Sequence, residues 1–297
     1  LAALAQGTYN VAVAATDAAG NVGNDGSAGE LTIDTTPPAV TVDGLTTNDT
    51  TPALTGTIDD DTAAIQVTVD GQVLAATNNG DGTWTLADGS LTALAEGTYN
   101  VAVTATDAAG NVGNDASAGE LTVDTTPPAV TVTAKTTNDP TPALAGTIDD
   151  ITAAIQVTVN GQVRAATNNG DGTWTLVDGS LTALADGTYN VAVAATDAAG
   201  NVGNDGTDDE LTVDTTIPTV SVNALITSDT TPQLTGAVDD VAATVQVTVD
   251  GQVLPAVNNG DGTWTLSDGS LTALAESTYN VAVTATNALG TIGSDST

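Results

Sequence analysis

The sequence predicts an all-β protein made of tandem antiparallel β-sandwiches. Three observations carry this: a 90-residue internal repeat, apolar alternation every second residue inside each copy, and turn signals between the alternating runs. LTALAEGTYN at 91–100 recurs almost unchanged at 181–190 and 271–280, and residues 1–10 are a further copy. Trp84, Trp174 and Trp264 keep the period, as do Tyr9, Tyr99, Tyr189 and Tyr279. Only 15 of 90 positions differ between 37–126 and 127–216, which reads as recent duplication and suits a function based on copy number. A 90-residue period is too long for a solenoid unit and matches a whole domain, so the copies are beads on a string.

The elements of one copy follow in order. Asp34-Thr-Thr-Pro-Pro38, Asp124-Thr-Thr-Pro-Pro128 and Asp214-Thr-Thr-Ile-Pro218 are the joints, because proline ends a ladder and stiffens the chain. They predict a truncated repeat at 1–36 holding its last two strands, repeats at 37–126 and 127–216, and a repeat at 217–297 lacking its last strand. The chain then reads as a slice of a longer array. Strand A is Val40-Thr-Val42. Strand B turns Leu54 and Ile58 inward, and strand C turns Ile65, Val67 and Val69 inward with Gln66 and Thr68 outward. Asp70-Gly71 is a tight hairpin turn into a strand with Val73. Asn78-Asn-Gly-Asp-Gly82 turns again into Thr83-Trp-Thr-Leu86. Strand F turns Tyr99, Val101, Val103 and Ala105 inward, and strand G carries Leu121 and Val123. Seven short strands and no helical pattern predict immunoglobulin-like antiparallel β-sandwich domains joined end to end. Tyr99, preceded by Leu94 and Gly97, has the pattern of a tyrosine corner. One Trp and one Tyr per copy at inward positions are core residues rather than sugar-stacking platforms.

Composition excludes much chemistry. The 297 residues contain no Cys, His, Met or Phe, and 37 acidic residues face two cations, Lys135 and Arg164, for a net charge of −35. Disulfides, Cys zinc sites and Ser-His-Asp triads are therefore excluded. A chain this poor in Lys and Arg does not suit nucleic acid or anionic lipid. No run of 18 apolar residues suggests membrane insertion. No charged segment followed by an apolar one opens the chain, which says nothing about targeting in a sequence that begins inside a repeat. The core is Ala- and Val-rich and the like charges repel, so something other than Lys or Arg should neutralise the carboxylates.

Topology says where those carboxylates meet. In this sandwich the start of strand A shares a pole with the B–C and F–G loops. The joints supply Asp34, Asp124 and Asp214. The B–C loops supply Asp59 and Asp60, Asp149 and Asp150, and Asp239 and Asp240. The F–G loops supply Asp107 and Asn111, then Asp197 and Asn201. Ca²⁺ takes six to eight oxygen ligands of these kinds, so these thirteen residues are the candidate metal ligands, and Ca²⁺ is the predicted cofactor. Asp61 is replaced by Ile151 and Val241 and falls outside the shared set. Asp25, Asp49, Asp70 and Asp88 sit in ordinary turn contexts and read as turn residues. Asp81, in the Asn-Gly-Asp-Gly turn, lies at the acidic pole as a peripheral candidate. That turn lacks the acidic spacing of an EF-hand and the tandem of a nine-residue calcium repeat. Paired carboxylates such as Asp59 and Asp60 sit on one loop without lining aromatics, which argues against a glycosidase and an enzyme.

Ala105-Thr-Asp-Ala-Ala-Gly-Asn111, Asp124-Thr-Thr-Pro-Pro128, Thr51-Pro-Ala-Leu-Thr-Gly-Thr57 and Asn79-Gly-Asp-Gly-Thr-Trp84 resemble the bacterial Ig-like repeats of giant adhesins of the RTX, type I secreted kind. The resemblance covers nearly the whole chain. It implies an extracellular, cell-surface rod whose domain joints are stiffened by Ca²⁺ and whose neighbours are further repeats of the same chain. On this reading the chain is an extender that spaces a distal binding domain from the cell, each repeat adding about 40 Å if strands rise ~3.3 Å per residue. The alternatives are repeats that themselves bind carbohydrate or ice, or that self-associate end to end into a biofilm fibre. In the last repeat the F–G loop reads Asn287-Ala-Leu-Gly-Thr291, so its joint should bind Ca²⁺ less well.

Overall fold

The computed structural model describes residues 2–296, and all regular structure among them is β. The chain divides into two compact units. One comprises residues 1–127 together with 197–201, the other 128–196 together with 202–297.

In the first unit the strands are β1 (Gly7–Tyr9), β2 (Ala14–Thr16), β3 (Val22–Asn24), β4 (Leu31–Ile33), β5 (Leu45–Thr47), β6 (Leu54–Thr57), β7 (Ala64–Val69), β8 (Gln72–Asn78), β9 (Thr83–Leu86), β10 (Gly97–Tyr99), β11 (Val101–Thr106), β12 (Val112–Asn114) and β13 (Leu121–Val123). β1 pairs with β4 and β2 with β3, both antiparallel. The repeat that follows has one sheet ordered β12-β11-β7-β8-β9-β6 and a second ordered β10-β13-β5. Strands F and G are each broken in two, and each contributes to both sheets. β8 bridges the faces of the sandwich: residues 72–76 pair with β7, and 77–78 turn to pair with β9. The alternation holds where it was predicted. Val67, Val69, Val101, Val103, Leu121 and Val123 are buried between the layers, and their sequence neighbours point outward.

Strand A is shorter than its sequence suggests. A bridge from Val40 to Ile58, amide bonds from Thr41, Asp43 and Asp59, and side-chain bonds of Thr41 and Asp43 tie it to strand B without a continuous ladder. The chain then crosses to the other layer as β5, which runs parallel to β13. β5 is too short to announce itself by alternation, and its partner lies 76 residues away. Across β5, β13 and β10 the residues Thr46, Thr122 and Thr98 stand in register.

Asp70 and Gly71 both have positive φ, 47° and 74°, as the predicted two-residue hairpin between β7 and β8 requires. Trp84 is fully buried, and its indole N–H donates to Thr41 O at 2.8 Å. Tyr99 donates its hydroxyl to Ala95 O at 2.8 Å, completing the tyrosine corner. Gly113 lies so close to Pro38 O that no Cβ fits. There the start of strand A tucks beneath β12.

The second unit repeats the plan. Its strands are β14 (Lys135–Thr137), β15 (Leu144–Thr147), β16 (Ala154–Val159), β17 (Gln162–Asn168), β18 (Thr173–Leu176), β19 (Gly187–Tyr189), β20 (Val191–Thr196), β21 (Val202–Asn204) and β22 (Leu211–Val213), then β23 (Val220–Val222), β24 (Leu234–Val238), β25 (Thr244–Val249), β26 (Gln252–Asn258), β27 (Thr263–Leu266), β28 (Val281–Thr286) and β29 (Ile292–Ser296). Trp174 and Trp264 are fully buried like Trp84. In 217–296 the first half of strand G is β29, paired antiparallel with β28. The segments there that match β5 and β10 form no ladder among the described residues.

Candidate functional site

The joints are the part of the fold where the candidate residues gather. In the first unit the joint at 34–38 meets the B–C and F–G loops of the repeat that follows. Asp59 Oδ1 accepts from the Ala39 amide at 2.7 Å, which fixes the start of strand A. Asp60 Oδ1 accepts from the amide and hydroxyl of Thr62 at 2.8 and 2.7 Å. Asp34 Oδ1 accepts from the Thr36 amide at 3.0 Å. Asp107 Oδ1 takes the Asn111 amide and its Oδ2 the Asn111 Nδ2, both at 2.8 Å. Each Asp therefore shapes its own loop. None of the hydrogen bonds among the described residues uses Asp34 Oδ2, Asp59 Oδ2 or Asp60 Oδ2.

Asn111 has a second contact that the sequence did not reveal. Its Nδ2 also donates to Asp34 O at 3.1 Å, so the F–G loop is bracketed to the last residues of the preceding repeat. Asn201 does the same to Asp124 O at 2.8 Å and is 7% exposed. Asn48 adds an amide bond to Ala199 O at 3.0 Å. These bonds are why loop 197–201 belongs with the first unit.

In the second unit Asp149 Oδ1 accepts from the Ala129 amide, and Asp150 Oδ1 from Thr152. Asp239 holds the amide and hydroxyl of Thr219, and Asp240 the Ala242 amide. Asp214 Oδ1 accepts from Thr216. Asn287 stands where Asp107 and Asp197 stand in earlier repeats. Its Oδ1 takes the Thr291 amide, and its Nδ2 reaches Thr216 O at 3.3 Å. With Asp214, Asp239, Asp240, Thr216 and Pro218 it lines an open recess of about 390 Å³.

The electrostatics follow from these contacts. Asp60 is held below the ordinary carboxyl range by the Thr62 hydroxyl and then its amide, while the charge of Asp107 pushes it up, so the two carboxylates feel each other. Asp107 is lowered chiefly by the Asn111 side-chain amide. At Asp197 burial pushes upward, and the Asn201 amides outweigh it.

The oxygen-only donor set has the chemistry Ca²⁺ requires. Among the described residues, however, no three acidic side chains converge closely enough to enclose a metal ion. The fit therefore rests on the free carboxylate oxygens and on the acidic recess.

Asp49 and Asp88, read from sequence as simple turn residues, also meet. Asp49 is lowered first by the Thr51 amide, against partial burial, with the Asp88 side chain beside it. Asp139 with Asp178 and Asp229 with Asp268 repeat the pair. Sequence spacing cannot find it, because the partners lie on the A–B and E–F loops. Asp81 is occupied by the Thr83 amide and hydroxyl.

Residues 40–125, 129–215 and 219–297 match the family model described as bacterial Ig-like domain, and residues 1–73 match that of bacterial Ig-like domain (group 3). The chain belongs to the bacterial Ig-like domain family. Its Ig-like repeats are also similar to several solved structures. One is a 1.5-MDa bacterial ice-binding adhesin, at 21% identity over 89% of this chain and 97% of that one, with a TM-score of 0.40. Another is the Ca²⁺-stabilized adhesin with which an Antarctic bacterium binds ice, at 25% identity over 96% and 79% of the two chains, with a TM-score of 0.41. A third is a tetra-tandem repeat from the extending region of a large adhesion protein, at 27% identity over 96% and 79%, with a TM-score of 0.31. A search of curated proteins returns no match.

Proposed function

We propose that this Ig-like chain is an extender segment of a bacterial cell-surface adhesin, rigidified at its joints by Ca²⁺ and projecting a distal binding domain from the cell. The repeats divide at 36/37, 126/127 and 216/217, and each joint is one hinge to be stiffened. The observation that carries the reading is the joint itself. A neutral Asn amide brackets each F–G loop to the preceding repeat, and the carboxylates of Asp34, Asp59 and Asp60 beside the first one keep an oxygen free. Asp34, Asp59, Asp60 and Asp107 would hold the ion at the first joint. Asp214, Asp239 and Asp240 would do so at the third. Asn111 supplies an amide oxygen at the first joint. Bound Ca²⁺ would replace short-range repulsion with Ca–O bonds and remove hinge freedom. An extracellular setting fits the absence of Cys and the acidic composition, and the role is structural rather than enzymatic. The three Trp side chains are buried and offer sugar no stacking face.

The test is thermal melting and small-angle scattering of the chain with Ca²⁺ and with excess chelator. Chelation should lower the melting temperature and turn a rod into a flexible chain. Profiles that superimpose in the two conditions would sink the calcium reading.

A further inference from the structure

Outside the joints, each of the two repeats 37–126 and 127–216 holds a carboxylate with a buried oxygen that the joint reading does not use. Glu120 and Glu210 open the strands β13 and β22, at the place where strand G crosses from one layer to the other. Glu210 is 6% exposed. Its Oε2 accepts from the Val191 amide at 2.9 Å, and Glu120 Oε2 accepts from the Val101 amide at the same distance. The other oxygen of each, Oε1, is buried with no hydrogen-bond partner. A buried carboxylate with one neutral donor is costly, and the unmet oxygen costs most.

What lies against each carboxylate is one hydroxyl, with one proton for two anions. The Thr207 hydroxyl lies against the Glu210 carboxylate, but it donates to Asp205 Oδ2 at 2.7 Å. A hydroxyl has one proton, so the two carboxylates share it and it cannot fully serve both. Ser117 sits the same way between Glu120 and Asp115, donating to Asp115 Oδ2. Burial pushes the Glu210 carboxyl up, yet the hydroxyl and amides around it bring it below the ordinary range, so it is ionised at neutral pH. Neither cation of the chain serves it. Lys135 Nζ donates to Ala143 O, and Arg164 donates to Ser180 O and Val163 O. Two carboxylates and the one hydroxyl they share thus converge around an unpartnered buried oxygen, twice, 90 residues apart.

We propose that Glu120 with Asp115 and Ser117, and Glu210 with Asp205 and Thr207, each form an intradomain site for a hard divalent cation, Ca²⁺, separate from the joints. All donors are oxygens, and the ion supplies the charge that the loop lacks. Its position at the crossover fixes β13 and β22 against β5 and β14. The Leu45 amide already bonds Glu120 O and the Lys135 amide Glu210 O, both at 2.7 Å. Glu30, the counterpart in 1–36, is exposed and should not hold an ion.

The experiment counts Ca²⁺ bound per chain by equilibrium dialysis, in the wild type and in Glu120→Gln/Glu210→Gln. Glutamine keeps an acceptor for the Val101 and Val191 amides and removes the charge. The double variant should bind two fewer ions per chain. Asp115→Asn/Asp205→Asn keeps the hydroxyl acceptors and should lose the same two, so it decides the matter if the glutamine variant does not fold. Binding unchanged in the folded variants overturns the proposal and leaves a buried water or proton at Oε1. Asp59→Asn/Asp149→Asn/Asp239→Asn, run alongside, reports on the joints. If only the joint reading fails, this set binds like wild type while the glutamate set still loses two ions.

Discussion

Gly56→Ala tests the packing at the centre of the sandwich. A Cβ on Gly56 would stand 2.6 Å from Trp84 Nε1 and 2.9 Å from Thr41 C, and closer still to Thr41 O. Those two residues make the buried N–H···O bond at 2.8 Å, so the methyl group must drive apart a backbone carbonyl and an indole with nowhere to go. Overpacking costs about 1–3 kcal/mol. Breaking the bond and leaving buried polar atoms unpaired costs about 1–3 kcal/mol more. A loss of roughly 2–6 kcal/mol is a large share of the ~5–15 kcal/mol that holds a domain. With a urea slope of about 2 kcal/mol per molar, the midpoint of repeat 37–126 should fall by about 1–3 M. Each repeat carries one buried Trp, so tryptophan emission should show about a third of the unfolding amplitude moving to lower urea while the rest stays. Gly80→Ala is the control. Gly80 has φ of 72° and open space around it, so it should cost only about 1–2 kcal/mol of backbone strain. Superimposable curves for wild type and Gly56→Ala would refute the reasoning.

Tyr99→Phe removes the hydroxyl bond to Ala95 O and should cost about 1 kcal/mol by thermal melting, whereas Tyr279→Phe, whose bond is 3.1 Å, should cost less. Asn201→Ala releases the bracket to Asp124 O, so the Asn48 amide, bonded to Ala199 O, should exchange with deuterium faster while core amides do not change. Asp107 and Asp197 are lowered in the fold, so their contribution is present above the unfolded carboxyl value of 3.8 and is lost as pH falls through the lower folded value. The stability difference between wild type and Asp107→Asn/Asp197→Asn should accordingly shrink on acidification through that window. A difference that stays constant, read by urea titration at each pH, removes these two carboxylates from the acid response.

Much of the fold was legible because alternation and turn chemistry are local. Val67, Val69, Val101 and Val103 alternate where their strands lie, and Asp70-Gly71 could only turn one way. The tyrosine corner needed nothing beyond a short motif. What escaped was long-range. β5 is three residues whose partner is 76 positions on, and the close packing of Gly113 on Pro38 O joins two segments with no shared pattern. The breaks in strands F and G were hidden for the same reason, since each half keeps the inward alternation while changing partner. At the site, composition and topology brought the acidic loops to the joints. They could not show that Asn111 spends its Nδ2 on Asp34 O, that Asp49 meets Asp88, or that one oxygen of Glu210 is left unpaired. Those facts depend on side-chain direction, which spacing does not encode.

The joint carboxylates have two separable roles, and the choice of substitution distinguishes them. Asp59 Oδ1 holds the Ala39 amide, and Asp149 and Asp239 hold the matching amides of Ala129 and Thr219. This role needs an acceptor but no charge. A role toward Ca²⁺ needs the charge and the second oxygen. Asparagine retains the acceptor and removes the charge, while alanine removes both. Asp59→Asn/Asp149→Asn/Asp239→Asn should therefore melt close to wild type in chelator, where charge at the joint only repels, and should lose the gain that Ca²⁺ gives the wild type. The alanine set should melt lower in both conditions, because the start of strand A loses its anchor in three places, each worth about 1 kcal/mol. If the asparagine set keeps the full calcium gain, these aspartates are loop anchors alone, and any stiffening ion must be held by other oxygens.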